Sequence, residues 1–158
     1  MEELDKLDVQ LNRDKTRRVN LAKGDDFDFL GFNFRRSKTR RGVMGVRCVP
    51  TMKARTAVLR KVKEIFRRFR SQPVGRIIAL INPVLRGWVN YFCVGQSSRC
   101  FGYVKDWVEK KVRRHLMRAR QRRGFGWKRW SRQWIYGPLG LCSKYRVASR
   151  LSKALPAQ

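Results

Sequence analysis

Apolar residues in the stretch Ile81 to Phe92, read INPVLRGWVNYF, fall at Leu85, Trp88, Val89 and Phe92, the i, i+3, i+4, i+7 spacing of one helix face. Asn82 is a good N-cap and Pro83 suits the first helical position, so the pattern predicts an amphipathic helix starting here. Basic stretches with stripes of their own flank it. Behind Thr51 as N-cap, Val58, Val62, Ile65, Phe66 and Phe69 mark one face, while Arg60, Lys61, Lys63, Arg67, Arg68 and Arg70 fill the rest until Ser71-Gln72-Pro73. Val74 to Leu80 reads as a short helical step into the central helix. Behind Ser97-Ser98 as cap, Val104, Trp107, Val108, Val112 and His115 keep helical spacing, until RRHLMRARQRR, ending at Arg123, replaces packing with charge. Neither flanking helix can bury its stripe alone, so three helices are expected to pack as a bundle anchored on Trp88.

The first fifty residues are of another kind. Leu4, Leu7 and Leu11 fall at helical spacing in a short acidic piece that ends in the turn Asn12-Arg13-Asp14. Arg17 to Leu21 then reads as a strand, Ala22 to Asp26 as a turn and Phe27 to Phe34 as a second strand. Arg35 to Gly42 reads as a basic loop, and Val43 to Val49 as a third strand stopped by Pro50. The expected class is α+β, mainly α. A small antiparallel sheet occupies 1–50, a basic helical bundle 51–123 and a basic aromatic tail 124–158.

Charge sets the class of partner. Lys+Arg 39 against Asp+Glu 11 gives 158 residues a formal net charge of +28, far beyond solubility needs, which points to a polyanion. Nucleic acid fits better than an anionic membrane, because the charge runs through a chain that also has a core rather than along one short amphipathic helix. No apolar run approaches the ~18 residues of a membrane span. Cys48, Cys93, Cys100 and Cys142 form no C-x-x-C pair and His115 is the only histidine, so no metal site is expected. Free thiols of this kind suit a reducing cytoplasm.

In the tail, GFGWKRWSRQWIYGPLGLCSKYRV, the rings of Trp127, Trp130 and Trp134 are interleaved with Lys128, Arg129 and Arg132. Cations meet phosphates while flat rings stack on unpaired bases, a pattern suited to RNA. Trp130 and Trp134 equally fit an apolar stripe docking on the bundle; Trp127, between glycine and lysine, is the better stacking candidate. Arg113, Arg114, Arg118, Arg120, Arg122 and Arg123 are concentrated where the apolar stripe fades and are expected to face phosphates. Gly24-Asp25-Asp26 mimics the paired carboxylates that bind Mg²⁺ in polymerases. A further metal-binding aspartate on an earlier strand is missing, since the only aspartates upstream are Asp5, Asp8 and Asp14, on the expected helix and turn, so Asp25 and Asp26 are read as turn acids. Asp106 and Glu109 are read as ion-pair acids on a helix surface, and no self-sufficient active site is found.

In their order, LNRDKT, FDFLGFNF, INPVLRGWVNYF, YVKDWVEKKVRRHLMRARQRRGFGWKRW and YGPLGL resemble the C-terminal part of a bacterial group II intron-encoded reverse transcriptase/maturase. The resemblance implies that 1–50 is the last part of a polymerase palm and that the rest is the thumb, or X, maturase domain. Lys15 then matches a position near the polymerase pocket, and Phe29, Leu30, Gly31 and Phe32 match the primer grip. The Y-A-D-D box, the fingers and the earlier palm strands are absent, as is an H-N-H endonuclease motif after residue 150. The expectation is thus a fragment or one half of a split reading frame, with no catalytic residue and no cofactor of its own. Mg²⁺ would belong to the complete polymerase and to the intron RNA.

By this resemblance the chain binds group II intron RNA in a cytoplasmic ribonucleoprotein and assists splicing, with retrohoming a property of the full-length protein. A complementary reverse transcriptase polypeptide or a DNA target are further partners it implies. Two alternatives stand beside it: the accessory part of a split RNA-directed DNA polymerase gripping a template–primer duplex, and a general basic nucleic-acid-binding protein.

Overall fold

The computed structural model describes residues 19–39 and 42–148. Three antiparallel strands, β1 (Asp26–Phe29), β2 (Phe32–Lys38) and β3 (Met44–Pro50), lie in that order in one sheet. Four helices follow: α1 (Met52–Arg68), α2 (Val74–Phe92), α3 (Ser98–Arg118) and the short α4 (Arg132–Tyr136). The class is α+β, mainly α, as the periodicities predict.

The hairpin differs from expectation. Phe27 to Phe34 is two strands rather than one, because Leu30 (φ 48) and Gly31 (φ 79) both take the left-handed conformation of a two-residue turn. Phe29 consequently faces Phe32 in register, and Phe27 stacks on Phe34 at 5.0 Å. Val19 and Asn20 are not strand, and Leu21–Lys23 is a 3-10 turn whose Asn20 side chain accepts from the Ala22 amide. Arg35 to Lys38, expected as loop, continue β2, since Arg35 pairs with Arg47 and Lys38 with Met44. The predicted helix over 2–11 and the position Lys15 lie outside the described residues.

The sheet is tied to the helices at its turn. The Tyr91 hydroxyl donates to the Leu30 carbonyl at 2.9 Å, and the Thr51 amide donates to Gly31 O at 2.8 Å. Phe32 packs on Phe92 with ring centres 4.9 Å apart. A side chain at Gly31 would put its Cβ 3.3 Å from the Phe92 ring, so glycine is required there both for its φ and for this approach.

Thr51 caps α1 as predicted, accepting from the Ala54 amide at 3.1 Å, and Val58 and Val62 are buried. Helix α2 corrects the sequence reading. It runs unbroken from Val74 through Pro83, because buried Ile77, Ile78 and Ile81 carry its apolar face across the proline. Asn82 is therefore no N-cap. Its amide donates to Gly140 O at 2.9 Å and accepts from Cys142 N at 2.8 Å, holding the tail against the bundle. Ser97 occupies the N-cap position of α3 but donates back to Val94 O at 3.0 Å instead of capping with its side chain.

Helices α1, α2 and α3 share a core that includes Val62, Ile77, Ile81, Leu85, Val104, Val108 and Val112. Tail residues Ile135, Leu141 and Cys142 belong to the same core, so the tail closes the bundle as well as extending it. A second cluster of Val89, Phe92 and Phe101 faces the sheet. Half-buried Trp88 touches both, at 5.1 Å from Phe92 and 5.5 Å from Phe101. The four cysteines are free thiols, with those of Cys48 and Cys100 raised by burial.

Candidate nucleic-acid interface

Helix α3 points Val104, Val108, Val112 and Leu116 into the core and ends at Arg118, short of the expected Arg123. Gln121 turns the chain at φ 54, and the Arg122 amide bonds Met117 O at 2.9 Å. The chain then folds back over α3. Gly126 passes so close that an added Cβ would lie 2.8 Å from Met117 Sδ and 2.9 Å from the Trp130 ring. Ser131 caps α4 by accepting from Trp134 N at 3.2 Å.

This return covers the flank of α3 that carries Glu109 and Arg113. Glu109 is buried, not on the surface as predicted: Tyr136 Oη donates to it at 2.6 Å and Arg132 Nε at 3.0 Å. Asp106 behaves as read from sequence, an exposed acid paired with Arg132 Nη2 at 2.9 Å. Burial and the bond to Glu109 push the Tyr136 phenol far above its ordinary range, so it stays a donor. Arg132 thereby fixes α4 to α3, with two of its nitrogens engaged rather than free for phosphate.

Arg113 is the other correction. It is 1% exposed, where the sequence predicts a solvent-facing cation, because the tail lies on it. Its guanidinium sits 4.4 Å from the centre of the Trp127 ring, a cation–π contact that also hides Nε and Nη1, which have no hydrogen-bond partner. Burial lowers its basicity and Glu109 opposes that shift. Trp127 remains 51% exposed, with its ring tilted against that of Phe125 at 5.7 Å between centres.

The same stacking recurs along the return. Arg114 lies 4.9 Å from the Phe125 ring, and Arg120 and Arg129 lie 5.1 Å and 5.6 Å from that of Trp130. Trp130 packs on Trp134 at 4.6 Å and both join the core, which resolves that pair in favour of packing. Arg114, Arg118, Arg120, Arg122, Arg123, Lys128 and Arg129 are all exposed. Of the predicted residues, Arg114, Arg120 and Arg129 are thus seated on rings of the return, Arg113 is buried beneath Trp127, and Arg132 is held by Glu109 and Asp106 while its side chain stays 62% exposed. Phe125 was missed by sequence reasoning. Its position between glycines concealed that it would seat Arg114.

The remaining predicted positions lie elsewhere. Phe29 and Leu30 stand exposed at the hairpin tip, while Gly31 and Phe32 pack against α2. The Asp25 carboxylate accepts from Asn20 N at 3.0 Å, and Asn33 Nδ2 donates to both Asp26 and Asp28 at 2.9 Å, consistent with turn and strand acids. Among the described residues no group of three or more His, Cys, Asp or Glu is placed to hold a metal ion. No helix among them is long and apolar enough to cross a membrane.

A three-helix bundle closed by a basic aromatic return, with a small sheet docked against it, defines the class as a basic helical module. The family model for the group II intron maturase-specific domain matches residues 55–136, more than half of the chain, spanning α1 through α4. The chain belongs to that family. No curated protein matches it.

Proposed function

We propose that the chain grips folded group II intron RNA and assists splicing by holding the RNA in its active form, with the chemistry left to the RNA. The observation that carries this reading is the set of exposed cations seated on aromatic faces of the return, Arg114 on Phe125 and Arg120 and Arg129 on Trp130. Stacked guanidinium groups keep their N–H donors directed outward with little rotamer freedom, which suits bidentate phosphate contact. Trp127 offers a ring face to an unpaired base. Membership of the maturase family supports the same substrate and makes a general nucleic-acid binder the weaker reading. The setting is a cytoplasmic ribonucleoprotein in which Mg²⁺ belongs to the RNA.

We read no polymerase step into this chain, because Asp25 and Asp26 are bonded to Asn20 and Asn33. One observation favours a second role, in a two-piece RNA-directed DNA polymerase: among the described residues Phe29 and Leu30, half of the primer-grip-like turn, stand exposed. That role requires a complementary polypeptide with the remaining palm.

The test is splicing of a group II intron RNA at a Mg²⁺ concentration too low for the RNA alone. The chain should restore splicing, and polylysine at matched charge should not. Equal rescue by polylysine would contradict a specific maturase role.

A further inference from the structure

On the other flank of α3, between it and α1, lies a cleft of about 200 Å³. Lys63, Arg67 and Arg70 line it from α1 and the turn that follows, and Lys111, Arg114 and Arg118 from α3. The spacings, i, i+4 for Lys63 and Arg67 on one wall and i, i+3, i+7 on the other, keep each set on one helix face, and Arg70 extends the first from the turn. At 1.5 Å per residue the α3 row is about 10.5 Å long. The α3 row lies about half a turn away from Glu109 and Arg113, so the cleft and the covered flank use opposite sides of one helix.

The walls contain no carboxylate. The floor is formed by Phe66 and His115, ring centres 5.9 Å apart, with His115 Nε2 3.2 Å from Gln72 O. Six cations therefore converge on a concave space whose lining, among the described residues, has no acid to balance them. Burial, followed by repulsion from Arg114, Lys63 and Arg118, holds the Lys111 ammonium below its ordinary value. An ordinary solvated face spreads its charges apart on a convex surface; here two helices bring them together, which costs stability unless an anion joins them.

We propose that this cleft is a second RNA site, separate from the aromatic return, that takes a run of phosphodiester backbone lying along the two helices. It rests on the RNA-binding reading above. Two parallel rows, each with Lys and Arg at successive turns, match a line of phosphates; a single free anion would engage only one end. Arg114 joins the two sites, since it lines the cleft and also carries Phe125 on its guanidinium. A strand leaving the cleft there meets the Phe125–Trp127 pair, where unpaired bases can stack.

The test uses the full chain with Lys63→Gln, Arg67→Gln and Lys111→Gln combined, in a salt titration of binding to a structured intron RNA. Each lost phosphate contact removes about 0.7–0.9 from the log–log slope, so the triple variant should flatten it by roughly two to three units. Its melting temperature should not fall, because like charges have been separated. An unchanged slope overturns the proposal, and so does a lower melting temperature with the slope intact, which would make the residues structural only. Should the triple variant not fold, Lys111→Gln alone must lose about 0.7–0.9 of slope. Inorganic phosphate at matched phosphate concentration should raise the wild-type melting temperature less than RNA does; an equal rise would make the cleft a simple anion site and overturn the backbone assignment. If substitutions in the return weaken binding while the cleft triple does not, the maturase reading stands and the cleft proposal alone fails.

Discussion

The Arg113 guanidinium lies 4.4 Å from the centre of the Trp127 ring, so the most exposed tryptophan of the return rests on a cation that is itself buried. The contact orients the ring, leaving its outer face open. Replacing Trp127 with Ala should cost about 1–3 kcal/mol of binding to RNA with open loops, with much less effect on a plain duplex. The salt slope should stay nearly intact. Equal losses on loop and duplex RNA, measured side by side by filter binding, would show that Trp127 only packs.

Trp88 touches both core clusters, through Phe92 and Phe101 on one side and the main core on the other. Trp88→Ala should cost about 3–5 kcal/mol, a large part of the ~5–15 kcal/mol available to a small domain. Circular dichroism melting should show the bundle unfolded or strongly destabilised. A wild-type melting temperature would remove Trp88 as the anchor.

Much of this bundle is legible in the sequence because helix periodicity is local. Val58 and Val62 on α1, Leu85, Val89 and Phe92 on α2, and Val104, Val108 and Val112 on α3 all face the core as their spacing predicts. What was not legible depended on partners far along the chain. Asn82 before Pro83 has the chemistry of a helix start, yet its amide is spent on Gly140 and Cys142. Glu109 reads as a surface ion-pair acid and Arg113 as a phosphate-facing cation until Tyr136 and Trp127 fold onto them. Leu30 takes a left-handed conformation that leucine does not advertise, held by the Tyr91 hydroxyl.

His115 gives the bundle a pH dependence. Burial lowers its pKa below the ordinary 6.5, with the Gln72 carbonyl opposing and Arg118 assisting the shift. The folded state therefore prefers the neutral ring, and the unfolded state binds more protons below about pH 6.5. Stability should be full above that pH and decline as pH falls through it towards the folded value. Urea unfolding at pH 7.5 and 5.5 should show this loss in the wild type and a smaller one in His115→Gln, which can still donate to Gln72 O. The same loss in both would assign it to other groups.

Asp25→Ala combined with Asp26→Ala should leave RNA affinity nearly unchanged, because these acids serve the hairpin and not the basic end. Primer extension on an RNA template should be undetectable before and after the substitutions. Extension by the wild-type chain that disappears in the double variant would restore a catalytic role to Gly24-Asp25-Asp26.

The central claim is that the exposed cations beyond α3 hold intron RNA by its phosphates, and a salt titration of Arg120→Ala, Arg122→Ala and Arg123→Ala combined tests it most directly. All three side chains are exposed, and among the described residues the one ring contact they make is that of Arg120 with Trp130, so folding should be preserved. Affinity for intron RNA should fall and the log–log salt slope should flatten by roughly two to three units relative to wild type. A slope identical to wild type in a correctly folded triple variant would contradict the account.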